Sequence, residues 1–118
     1  MRIRIKLKGR EGFLDLDSVR KVSFSGKILG LMFKSRSKAE ALLFDFKKPT
    51  ATAIHSLFVF FPFLAVWLND KNEVIECRIV RSWTFHVKPK NKFTKLIELP
   101  FNNRYKDNIQ TLVGERFK

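Results

Sequence analysis

The chain has 118 residues, with 24 Lys and Arg against 11 Asp and Glu, a formal net charge of +13. A single Cys excludes an intramolecular disulfide, and only five Gly and four Pro argue against a disordered or low-complexity chain. Thirteen Phe and two Trp supply core material of strand-forming type, enough for one domain spanning residues 1–118 that buries roughly two-thirds of its unfolded surface.

The first element is written in alternation. Ile3, Ile5 and Leu7 face one way and Arg2, Arg4, Lys6 and Lys8 the other, the period of a half-buried strand. The charge at every second position leaves no continuous apolar stretch for a signal peptide, so a cytoplasmic location is expected. Gly9 to Gly12 is a turn, and Phe13 to Leu16 returns as the hairpin partner, setting Asp15 and Asp17 opposite the basic strand. Val19 to Phe24 predicts a third strand. Ser25 then stands as an N-cap before a short helix over 26–33, which its two glycines make dependent on packing. Ala41 to Phe46 is a strand ended by Lys47-Lys48-Pro49.

Residues 53–68 read A-I-H-S-L-F-V-F-F-P-F-L-A-V-W-L, sixteen residues without a formal charge. A spanning helix needs around 20 apolar residues, and this run is short and interrupted by Pro62. The residue types around Phe58–Phe61 and Val66-Trp67 favour strands, and Pro62 falls where one would end and the next begin. Two interior strands, covered on both faces, are therefore expected in place of a membrane span. Asn69 to Asn72 is a turn, and Glu73 to Val80 a strand with Ile75, Cys77 and Ile79 on one face. Trp83, Phe85 and Val87 alternate with Thr84, His86 and Lys88 in a short extended segment. Leu96 to Leu99 is the last strand. A helix over 103–113 closes the chain, with Tyr105, Ile109, Leu112 and Val113 at helical spacing and Gly114 as its stop. The sum is an α+β, β-rich domain with a curled or barrel-like, mostly antiparallel sheet.

Several segments taken in order are similar to a known family. Ile28-Leu29-Gly30-Leu31-Met32-Phe33-Lys34 resembles the G-L-M-F-R box of domain-of-unknown-function family 192, also called uncharacterised protein family 0127. Leu42 to Phe46 resembles its L-F-x-F strand, Phe61 to Asn69 its I-P-L-D-V-I-F-L-D segment, Val74-Ile75-Glu76 its V-V-E, and Leu96-Ile97-Glu98-Leu99 its V-L-E-L strand. The match covers roughly residues 26–115 and implies a compact β-rich domain, without a mechanism. Leu64 stands where the family has Asp, and Ile54-His55-Ser56-Leu57-Phe58 replaces its polar W-M-K-N, substitutions similar to archaeal-type members.

No catalytic set can be assembled. His55 and Ser56 are adjacent, so on a strand they point to opposite faces. One Cys and two His with no ligand spacing give no metal site, no Gly-rich phosphate loop is present, and no cofactor is implied. The basic clusters remain: Arg2, Arg4, Lys6 and Lys8 on one strand face; Lys34, Arg36 and Lys38; and Lys88, Lys90 and Lys92 on a connection. Such rows suit phosphates, which makes a non-enzymatic module for a polyanion such as nucleic acid the leading expectation. Basic rows also deter edge pairing of strands. The alternative is a small-molecule- or protein-binding domain with a pocket near Gly30, Leu31, Met32, Phe33 and His55, the charge being incidental. Base stacking would require exposed aromatics, and most Phe residues fall at core parities.

Overall fold

The computed structural model describes residues 1–9, 11–22, 35–54, 59–84 and 86–114. Seven strands and one helix are assigned in that range: β1 (Ile3–Lys6), β2 (Phe13–Leu16), β3 (Val19–Val22), β4 (Ala41–Thr50), β5 (Phe63–Leu68), β6 (Val74–Val80), β7 (Phe93–Pro100) and α1 (Lys106–Val113). The β1–β2 hairpin stands apart as a two-stranded sheet. The other strands form one sheet in the order β3-β4-β7-β5-β6, antiparallel except for the parallel β3–β4 pair. The sheet stays open, with β3 and β6 as its edges, and does not close into a barrel.

The two faces of this sheet are chemically different. One is aliphatic: Ala41, Leu43, Leu64, Val66, Leu68, Ile97 and Leu99 pack beneath Ile3, Ile5 and Leu16 of the hairpin and Tyr105 and Ile109 of α1. The other is aromatic: Phe44, Phe63, Trp67 and Phe93 pack with Val59, Phe61 and Val87 from the connecting segments. Alternation along each strand sorts the side chains between the faces. All six residues of β5 are buried, as expected of a central strand covered on both sides.

Polar contacts fix the layers. The hydroxyl of Tyr105 accepts from the Ala41 N–H and donates to the Ser18 carbonyl, both at 2.8 Å. One side chain of the aliphatic layer thereby ties α1 to β4 and to the start of β3. Lys6 N–H donates to the Asn72 carbonyl at 2.9 Å, seating the hairpin beside the β5–β6 turn. In that turn the Asn69 side-chain oxygen accepts from the N–H groups of Lys71 and Glu73, the self-bonding Asn habit that sequence turns exploit.

Four expectations need correction. Residues 59–62 are not a strand; Val59 and Phe61 are buried against the aromatic face while Phe60 points out, so the chain crosses the sheet end before Pro62 turns it into β5. Ile75 does not share a face with Cys77 and Ile79. The β5–β6 register shifts between Trp67 and Leu68, so Ile75 is the extra residue of a bulge and packs on the aromatic side, while Cys77 packs on the aliphatic side. The described residues from Trp83 to Val87 form no strand, only an isolated bridge between Val87 and Ile54. β4 also continues beyond Phe46 to Thr50. It does so through an irregular stretch with Lys47 at φ 66°, where Pro49 need supply no ladder donor. The helix over 26–33 and the Gly30–Phe33 box lie outside the described residues. The C-terminal helix is present, beginning at Lys106. No helix among the described residues is long and apolar enough to cross a membrane.

Candidate functional site

Strand direction decides which loops meet. β4 and β5 start, and β6 and β7 finish, at the same end of the sheet. Residues 35–40, 59–62, 81–84 and 101–105 therefore gather there, although as many as about 70 positions separate them in sequence. Hydrogen bonds stitch this end together. The Arg36 Nε–H donates to the Phe101 carbonyl at 2.5 Å, and the Asn102 side-chain amide donates to the carbonyls of Arg36 and Ala39 at 2.8 and 3.0 Å. Asn102 Oδ1 accepts from the Arg104 N–H at 3.1 Å, and Phe101 N–H donates to the Pro62 carbonyl at 3.1 Å.

The result is an open depression of about 720 Å³ lined by Ser35, Arg36, Ser37, Asn102, Asn103, Arg104, Lys106 and Gln110, with Phe101 and Ile109 beneath. Three cations and two hydroxyls line it, and no carboxylate does. Among the described residues, Arg36, Lys38, Arg104 and Lys106 have no ion-pair partner. Before β5 and after β6, one and two strand spacings from the end of β7, Phe60 and Trp83 stand 61% and 46% exposed, their ring centroids 5.8 Å apart and inclined at 67°.

The other basic clusters lie elsewhere. On β1, Arg2 pairs with Asp17 at 3.0 Å, Arg4 with Asp15 at 2.8 Å and Lys6 with Glu73 at 3.7 Å, so three of the four stripe cations face an acid. The Arg4 guanidinium holds the Asp15 carboxyl below the usual range, and Asn69 does the same for Glu73 by hydrogen bonding. Lys8 is exposed at the hairpin turn. Lys88, Lys90 and Lys92 are exposed near the start of β7, at the opposite end of the sheet and roughly 24 Å away along that strand. The Arg36–Lys38 cluster is thus joined by Arg104 and Lys106, and not by the other two. Lys34, His55 and Gly30–Phe33 lie outside the described residues; His86 is exposed.

A second feature is buried in the aromatic face. A cross-strand row runs Arg20, Leu42, Glu98, Ala65, Arg78. Glu98, at its centre, is 7% exposed and has no hydrogen-bond partner among the described residues. Burial pushes its carboxyl up to about 8, so it is largely neutral at pH 7. Arg78 cannot serve it, being bonded to Glu76 and lying over the Trp67 ring at 5.7 Å. In the neighbouring row the Trp67 Nε1–H is buried without an acceptor among the described residues. Cys77 is also pushed up by burial, to about 11. It borders a second depression of about 620 Å³, where Glu76 offsets the cations Lys8 and Arg78. No three His, Cys, Asp or Glu side chains converge among the described residues.

Sequence reasoning did not single out Arg104, Lys106, Phe60, Trp83 or Glu98. Their grouping depends on the non-sequential strand order, and Phe60 sits inside an apolar run that hides its exposure.

No family model matches the chain, and no curated protein does. Two solved structures share its fold. One, from Sinorhizobium meliloti 1021, is described as a "putative transcription regulator". It aligns over 91% of this chain and 84% of its own, with a TM-score of 0.71 and 16% identity. The other, a protein of unknown function from Novosphingobium aromaticivorans DSM 12444, aligns over 90% and 77%, with a TM-score of 0.64 and 13% identity.

Proposed function

We propose that the chain is a non-enzymatic binding module whose basic sheet end engages a polyanion, nucleic acid being the best candidate, in the cytoplasm. The observation that carries this reading is the convergence of Arg36, Arg104 and Lys106 around a depression without a carboxylate, with Lys38 two residues along the chain from Arg36 and none of the four holding an ion-pair partner among the described residues. Cations already neutralised by acids, like those of β1, have little to offer a phosphate; unpaired ones release counterions when they meet it. The transcription-regulator description of the S. meliloti structure is compatible with this reading. The likeness to domain-of-unknown-function family 192 belongs to the same proposal, resting on the order of its matched segments.

About four phosphate contacts predict that affinity falls roughly 50- to 150-fold between 50 and 200 mM salt. Oligonucleotide titrations by fluorescence anisotropy test this. The double variant Arg104→Ala, Lys106→Ala abolishes most of the salt-dependent binding, whereas Arg2→Ala, Arg4→Ala leaves it nearly intact. Absence of binding at low ionic strength, or equal losses in the two variants, would defeat the reading.

One observation favours a second reading. The Trp67 indole N–H is buried without an acceptor among the described residues, Glu98 lies on the same face of the sheet, and buried polar groups ordinarily have partners. A small polar molecule bound against the aromatic face would supply them. A neutral metabolite that raises the melting temperature at high salt, while oligonucleotides do nothing, would favour this reading over the first.

A further inference from the structure

We propose that Phe60 and Trp83 form a base-stacking platform for single-stranded nucleic acid, beside the cations of the sheet end; this deepens the polyanion reading and rests on it. Trp67, Phe61, Phe63 and Phe93 are at most 2% exposed, whereas Phe60 and Trp83 are 61% and 46% exposed and in edge contact with each other. Two adjacent large aromatics on a surface are costly unless something covers them.

The chain also holds Trp83 in an unfavourable backbone state. Its φ is +61°, a conformation that bulky residues rarely adopt and that costs about 1–2 kcal/mol. The Thr84 hydroxyl donates to the Arg81 carbonyl at 2.8 Å, closing the tight turn that presents the indole. Strain of this kind persists where the surrounding structure imposes it, and it gathers at binding sites.

Charge selects the occupant. Trp83 follows β6 and Phe60 precedes β5, and the end of β7, from which the loop carrying Arg104 departs, lies one strand spacing from the start of β5 and two, roughly 10 Å, from the end of β6. A ligand crossing this end meets phosphate-binding cations and then flat apolar faces. A duplex buries its base faces in its own stack, whereas a single strand offers phosphates and free bases together, the combination that aromatic and basic grooves bind. A few nucleotides suffice to reach from one to the other.

The chain carries its own reporters. Trp67 is fully buried and Trp83 exposed, so quenching of surface tryptophan emission reports stacking at Trp83. The intact chain is titrated with an oligothymidylate of about 12 nucleotides, with inorganic polyphosphate, and with anionic lipid vesicles. Quenching by the oligonucleotide alone is expected. Trp83→Ala weakens oligonucleotide binding about 5- to 150-fold and leaves polyphosphate binding unchanged, while Trp83→Phe restores most of the loss. An unchanged melting temperature confirms that Trp83→Ala is folded. Oligonucleotide binding without quenching, indifferent to Trp83→Ala, overturns the platform and leaves the basic surface standing. Failure of both oligonucleotide and polyphosphate to bind removes the underlying reading as well. Quenching by vesicles alone overturns the platform in favour of a lipid contact.

Discussion

Substitution of Glu98 by Gln isolates one buried carboxyl in the middle of the sheet. Glu98 lies between Leu42 and Ala65 on the neighbouring strands, without a hydrogen-bond partner among the described residues, and the two arginines of its cross-strand row stand at the far ends. Burial raises its pKa from 4.5 to about 8. The folded state therefore holds a proton that the unfolded state releases, so stability is fully present below pH 4.5 and declines as pH rises toward 8. At about 1.4 kcal/mol per unit, the wild-type chain loses roughly 3–4 kcal/mol between pH 5 and pH 8. Asp15 and Glu73, whose carboxyls are depressed, act in the opposite sense and only on the acid side, where their protonation destabilises. Gln keeps the shape of Glu98 and cannot ionise. Urea denaturation followed by the emission of buried Trp67, at several pH values, is expected to show a wild-type midpoint that falls with pH. For Glu98→Gln the midpoint stays level, slightly below wild type at pH 5 and above it at pH 8, with the denaturant slope unchanged. A wild-type midpoint that is flat or rising over this interval, or a Glu98→Gln midpoint that falls with pH as the wild type's does, refutes the reasoning.

Tyr105→Phe leaves the Ala41 N–H and the Ser18 carbonyl without their shared hydroxyl and is expected to cost about 1–3 kcal/mol in urea denaturation; a loss within experimental error would mean that the bridge is not formed. The Cys77 thiol, pushed up to about 11 by burial, is expected to alkylate at pH 8 on the order of 100-fold more slowly in the native chain than in denaturant, and equal rates would contradict its burial.

The parts of the fold that were legible in the sequence are those with a local cause. The hairpin is written in the alternation of Ile3 and Ile5 with Arg2 and Arg4, and the β5–β6 turn in the asparagines at 69 and 72. Misreadings arose where a non-local register overrode local preference. Phe58 to Phe61 has strand-forming residues but gains no partner in its described part, because β7 takes the place beside β5 that a sequential meander would give it. Ile75 looks in phase with Cys77 until the bulge opposite Trp67 and Leu68 inserts one residue. Lys47-Lys48-Pro49 resembles a strand end, yet Thr50 still pairs with Phe93 beyond the irregularity. The candidate site was half visible for the same reason. Arg36 and Lys38 stand out as a basic run. Arg104, Phe60 and Trp83 join them only through the order β4-β7-β5-β6, which no local pattern encodes. Glu98 was hidden in L-I-E-L, where its parity places it with Leu96 on a face that the neighbouring strands make apolar.

The place of β7 matters beyond the finished molecule. It lies between β4 and β5, yet of the strands in this sheet it is the last to leave the ribosome. Until residue 100 has been synthesised, β4 and β5 have no bridge between them, and Phe44, Phe63 and Trp67 hang on a nascent chain with no sheet to cover. A message cut short before residue 93 would yield a sticky fragment rather than a smaller version of this domain.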